Sequence, residues 1–312
     1  MVTRALAAAT AALLLAGCDQ FTSIQGTPLP RLARPLVVMH RGAGAGNPVL
    51  RENTMPAFVH GASLYDGAEM DLQLSKDGTI WLGHDNDVHG CGLPSADFRS
   101  GSVIGCFQDL TDGDIDAVAY CDTTATPCTS TPGGPGCTQR YVRLSEVFQT
   151  FTTDPTLTTK ILALDVKDQL CHALDIPQTA RDMAGALDGL VRAYGMDWRL
   201  VVESDQSTFM DEFHAKGTPE YLFVEGYAGA DPIIADADRY GADGISYRYT
   251  NEPFDPTFPD GLRARGLRVM VWPVPDPQTA VSDIAPVWNM FPDVIATDRE
   301  DFFQHVLLPR PL

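Results

Sequence analysis

The chain has 312 residues, with 22 basic and 41 acidic side chains and a formal net charge of −19 at pH 7. At 44% hydrophobic and 20% charged, its composition is that of an ordinary globular protein with enough length for one large core. So acidic a surface repels nucleic acid and anionic headgroups at long range, which argues against a nucleic-acid partner. Any anionic substrate needs local compensation from a metal or a few placed cations.

Near the N-terminus Arg4 precedes a small-apolar run from Ala5 to Gly17, too short to span a bilayer as a mature helix. It reads as a signal peptide over residues 1–17. Leu15-Ala16-Gly17-Cys18 resembles a bacterial lipoprotein box, which implies lipidation at Cys18 and membrane contact through that anchor only. Residues 18–34 then read as a tether, and 35–312 as the folded domain. The expected location is the cell envelope, facing the periplasm in a Gram-negative source.

The first strand is Leu36–Met39, ending at His40. Thr54–Tyr65 has helical spacing. From Ala68 to Leu74 the chain alternates, with Met70, Leu72 and Leu74 on one face and Glu69, Asp71 and Gln73 on the other. Lys76-Asp77-Gly78 is a turn signal, so Thr79–His84 reads as a returning strand of a hairpin. Residues 86–140 break the pattern, being rich in Gly, Asp, Thr, Pro and Cys. Without Cys18, six cysteines remain: Cys91, Cys106, Cys121, Cys128, Cys137 and Cys171. An even number in an exported chain suggests disulfides that hold an insert too poor in apolar residues to hold itself. The alternative, a zinc cluster, lacks a CxxC pair.

Helices are expected at Leu144–Phe151, 176–194, Ser207–Lys216, Asp231–Tyr240, Pro259–Arg265, Gln278–Met290 and Glu300–Leu307. Strands starting near 36, 68, 161, 200, 221, 244, 267 and 294 alternate with them. Eight strand–helix units predict an α/β fold, a (β/α)₈ TIM barrel with a cysteine-rich insertion after strand 2. An open doubly wound sheet would need a glycine-rich loop leading directly into a helix, and Gly42–Gly46 leads into none.

In such a barrel, chemistry gathers at the C-terminal ends of the strands. His40-Arg41 ends the first strand. Glu69 and Asp71, two apart, share the face turned into the mouth, where two like charges suppress each other's ionisation unless a cation joins them. Asp165 is a third carboxylate, with Lys167 on the same face. All-oxygen donors favour one divalent cation, Mg²⁺ or Ca²⁺. Glu203 also faces the mouth.

His40-Arg41-Gly42, Glu52-Asn53-Thr54 with Ala57-Phe58, Glu69-x-Asp71, Lys76-Asp77-Gly78 and His84-Asp85 occur in order. With Leu144-Ser145-Glu146-Val147, Asp165-x-Lys167, Trp272 and Thr297-Asp298, they resemble the glycerophosphodiester phosphodiesterase family across most of residues 36–304. The resemblance implies hydrolysis of a glycerophosphodiester to an alcohol and glycerol 3-phosphate. His40 and His84 would be the acid–base pair, and Glu69, Asp71 and Asp165 the metal ligands. It implies contacts to the substrate from Arg41, Lys167 and Trp272, with Glu52 orienting Arg41 or joining the metal's outer shell. Asp165 departs from the family's usual glutamate and reaches about 1.5 Å less far, one carbon–carbon bond. Two other readings stand beside this one. One is a phospholipase-type enzyme acting on lysophospholipid or sphingomyelin; the other is a metal-bearing binding protein without catalysis, against which the two histidines argue.

Overall fold

A computed structural model describes residues 32–43, 50–90, 102–120, 139–166, 176–216, 222–226, 230–249, 257–272, 274 and 281–307. The strands are β1 (Leu36–Met39), β2 (Gly67–Leu74), β3 (Ile80–Leu82), β4 (Asp87–Gly90), β5 (Ser102–Cys106), β6 (Ala119–Tyr120), β7 (Gln139–Arg140), β8 (Ile161–Val166), β9 (Leu200–Ser204), β10 (Leu222–Gly226), β11 (Gly244–Arg248), β12 (Arg268–Trp272) and β13 (Val294–Thr297). The α-helices are α1 (Met55–Leu64), α2 (Asp112–Asp116), α3 (Leu144–Thr153), α4 (Ile176–Tyr194), α5 (Ser207–Lys216), α6 (Ala230–Tyr240), α7 (Thr257–Ala264), α8 (Ile284–Met290) and α9 (Phe302–Leu307).

Eight strands pair in parallel in the order β1, β13, β12, β11, β10, β9, β8, β2, and a β1–β2 pairing closes the ring. This is the expected (β/α)₈ barrel. Alternation sorts its side chains into two cores. Val38, Ala163, Val201, Phe223, Met270, Val294 and Ala296 fill the interior. Val37, Met39, Met70, Leu72, Leu164 and Val202 belong to the outer core, packed with helix residues such as Phe58, Leu187 and Phe209.

At the N-terminal ends of the strands an aspartate recurs. The carboxylates of Asp66, Asp243 and Asp293 accept the backbone N–H groups of Val37, Leu222 and Val269 at 2.9, 3.0 and 3.0 Å. The N–H of each aspartate donates to the carbonyl of that same residue, at 2.9, 2.8 and 2.9 Å. Arg34 grips Asp66 with both terminal guanidinium nitrogens, at 2.7 and 2.6 Å. Arg268 and Arg263 share the fully buried Asp293 carboxylate, at 3.0 and 3.3 Å.

β3 returns antiparallel along β2, completing the expected hairpin. The described part of the following segment packs against the hairpin. β4 pairs with β5, β6 with β7, and Val88, Phe107, Ile115 and Val118 converge on Trp81 and Tyr141 in a buried cluster. These apolar residues are scattered singly along the sequence and meet only in three dimensions. Asp112 fastens the segment to the hairpin, accepting from Ser75 Oγ (2.8 Å), Thr79 Oγ1 (2.6 Å) and Trp81 Nε1 (2.9 Å). Burial favours the neutral acid there, but the three donors outweigh it and hold Asp112 below the usual carboxylate range. Cys91, Cys121, Cys128, Cys137 and Cys171 lie outside the described residues, as do Cys18, the signal segment and nearly all of the tether.

Candidate active site

β1 delivers His40 to the barrel mouth, and the chain then reverses. Arg41 and Gly42 take left-handed conformations, φ 52° and 80°. A side chain at position 42 would run into the Ala57 and Phe58 backbone, which only glycine avoids. The reversal aims the Arg41 N–H at Glu69 Oε2, 2.7 Å away. His40 stands between two carboxylates: its Nδ1 lies 2.7 Å from Asp298 Oδ1, at the end of β13, and its Nε2 lies 3.8 Å from Glu69 Oε2.

Glu69, Asp71 and Asp165 are all buried, and one oxygen from each lies within 4.8 Å of the others. In the β-ladder Asp71 is opposite Asp165, and Asp165 opposite Glu203. Two oxygens bound to one Mg²⁺ or Ca²⁺ lie at most about 5 Å apart, twice a metal–oxygen distance. The donor set therefore fits a hard divalent ion. The shorter Asp165 side chain still joins the cluster.

The Arg41 guanidinium reaches Glu52 at 3.1 and 3.3 Å, and its Nε lies 3.5 Å from Asp71 Oδ2. Burial works against its charge, but Asp71, Glu52 and Glu69 outweigh that and push its pKa above the ordinary arginine range. His84 follows β3, half-exposed, with Nδ1 2.9 Å from Asp85. The preceding Gly83 N–H donates to the Asp71 carbonyl at 3.1 Å, which brings the hairpin end beside the carboxylates. Glu203 is buried at the mouth end of β9. Trp272 packs on the interior core and walls the mouth. Lys167 lies outside the described residues.

The sequence matches the glycerophosphoryl diester phosphodiesterase family over residues 40–301, a span that takes in the reversal, the carboxylate cluster and Asp298. The chain belongs to this family. The enzyme is thus a phosphoric diester hydrolase. No curated protein is similar enough in sequence to match. Several solved structures share its fold. A Silicibacter pomeroyi DSS-3 protein superposes with a TM-score of 0.70 at 18% identity, covering 91% of this chain and 96% of that one. A glycerophosphodiester phosphodiesterase from Parabacteroides distasonis gives 0.65 at 18%, covering 88% and 97%. An Oleispira antarctica phosphodiesterase, solved with its product sn-glycerol-3-phosphate, gives 0.65 at 16%, also covering 88% and 97%.

Four further residues stand at the enzyme's mouth. Asp298 partners His40, and Asn53 contacts Asp71. Glu225, next to last in β10, and Arg248, last in β11, take inward-facing positions, two residues beyond Phe223 and Ser246. The two-residue step that exposed Glu69 and Asp71 would have picked out Glu225 and Arg248 as well. Asn53 and Asp298 are joined to their partners by contacts that strand alternation does not reveal.

Proposed function

We propose that the enzyme hydrolyses glycerophosphodiesters to an alcohol and glycerol 3-phosphate, using a divalent cation and paired histidines. The observation that carries this reading is one mouth holding both a carboxylate-gripped histidine, His40, and a buried triad of carboxylates.

Glu69, Asp71 and Asp165 would hold the ion, which when bound supplies Lewis-acid charge to a phosphoryl oxygen. Asp298 fixes the His40 ring through Nδ1 and leaves Nε2 for proton transfer. One histidine of the His40–His84 pair takes a proton from the attacking hydroxyl, either that of water or the glycerol 2-hydroxyl, whose cyclic phosphate a water then opens. The other gives one to the departing alcohol as its P–O bond breaks and the new P–O bond forms. Arg41 holds a phosphate oxygen on the face it turns from Glu52, and Lys167 adds a second cation. Trp272 offers an apolar wall for the glycerol carbons.

The envelope location and lipid anchor at Cys18 belong to the same proposal, supported by Leu15-Ala16-Gly17-Cys18. Disulfides in the insert are supported by Cys106, which is bonded to another cysteine.

Glycerophosphocholine turnover, assayed after chelation and after return of Mg²⁺ or Ca²⁺ separately, tests the chemistry. Chelation is expected to abolish turnover and one of the ions to restore it. His40→Ala and His84→Ala should each lower kcat by about 10²- to 10⁴-fold. Activity that persists in the chelated protein and in both variants would sink the mechanism.

A further inference from the structure

We infer that Asn53 is a positioning residue for the metal site, a two-point clamp that sets the Asp71 carboxylate. The inference rests on the metal reading above.

Asn53 is completely buried, in the short loop between Glu52 and the start of α1. Its side-chain amide donates to Asp71 Oδ2 at 2.7 Å, and its Oδ1 accepts the Asp71 backbone N–H at 3.1 Å. One side chain thus holds both the backbone and the carboxylate of the same residue, fixing the carboxylate's rotation about its own strand. Few side chains can do this. The grip needs a donor and an acceptor on one planar group, with a reach no longer than one methylene.

The backbone is shaped for the purpose. Among the described residues the non-glycine positive-φ positions are Arg41, Asn53 and Phe291. Two of these meet here, since the Asn53 N–H donates to the Arg41 carbonyl at 3.0 Å. Asparagine tolerates the left-handed region better than most residues, and strained backbone of this kind collects at functional sites. The same Asp71 oxygen that Asn53 grips lies 3.5 Å from Arg41 Nε, so Asp71 is held from two sides. Arg41 supplies charge, while Asn53 supplies direction. A ligand held in its binding orientation loses no rotamer freedom when the ion arrives.

Two variants separate this role from simple loop support. Asn53→Gly accepts φ 57° without strain and removes the clamp. Asn53→Asp keeps the shape and the acceptor for the Asp71 N–H, but turns an oxygen toward Asp71 Oδ2 in place of a donor. The measurement is calorimetric titration of chelator-stripped full-length protein with Mg²⁺ and with Ca²⁺, beside thermal melting of the stripped protein. Both variants are expected to bind the ion about 10- to 100-fold more weakly than wild type. Asn53→Gly is expected to melt below wild type in the stripped state, because the buried Asp71 N–H loses its acceptor, so affinities are compared at a temperature where all three proteins are folded. Wild-type affinity in both variants would overturn the inference and leave the metal reading standing, whatever their melting points. A wild-type protein that takes up neither ion would overturn the metal reading and the clamp with it.

Discussion

Tyr65 closes α1, and its hydroxyl ties the first helix of the barrel to the last. It donates to the Arg299 carbonyl and accepts the Phe302 N–H at 3.3 Å. Burial disfavours the phenolate and raises this tyrosine to about 12. The unfolded value is about 10, so the folded protein holds the proton more tightly. The stabilisation is complete below pH 10 and is lost as pH rises through 12. Denaturant melts should therefore show wild type losing stability between pH 10 and 12 relative to its own value at pH 8. Tyr65→Phe should show a weaker loss across that window, and equal slopes would disprove the link. Legibility at this scale depended on distance along the chain. Glu69, Asp71 and Asp165 were readable because strand alternation places them on one face. Asp298 and Asn53 carry no role on pattern alone, because barrel closure brings Asp298 to His40 from 258 residues away and the β1–α1–β2 turn brings Asn53 to Asp71 from 18.

Individual elements show where local pattern and tertiary structure part. All eight barrel strands fall where apolar runs and alternation predicted. Helix starts were less secure. Of the helix expected over Gln278–Met290, the described residues form a 3₁₀ turn at Val281–Asp283 and then α8 from Ile284, whose Pro286 sits in the first turn, where a missing N–H is tolerated. In the insert an apolar residue every several positions carries no period, yet four of them meet in a cluster that leans on Trp81 and Tyr141, which lie outside the insert. The aspartate ahead of β13 is the element-level device with the clearest consequence. Asp293 is wholly buried and serves both Arg263 and Arg268 as well as the Val269 N–H. Asp293→Ala deprives two buried guanidinium groups of their shared carboxylate, a change that costs about 3–5 kcal/mol when a buried pair is broken. Urea unfolding should show a loss of that size. A loss below 1 kcal/mol would mean that other contacts hold β12 and β13 together.

On the scale of the whole molecule, the barrel divides its polar groups by height. Carboxylates and histidines gather where the strands end, while arginine–aspartate pairs lock the ends where they begin. With a net charge of −19, phosphate recognition falls to a few local cations and the proposed ion. The proposed anchor is testable at this scale too. Full-length protein expressed in a Gram-negative host should partition into the detergent phase with the membranes, and Cys18→Ser should release it to the aqueous phase. A wild-type protein that is wholly aqueous would refute the lipid.

The clasp of Arg34 on Asp66 fixes the point at which the polypeptide joins the barrel, at the end remote from the carboxylate triad. The described chain therefore enters the barrel at its base, and the carboxylate triad opens at the other end. Were the proposed lipid at Cys18 present, entry at the base would leave the mouth free of the anchor and open to diffusing, water-soluble diesters.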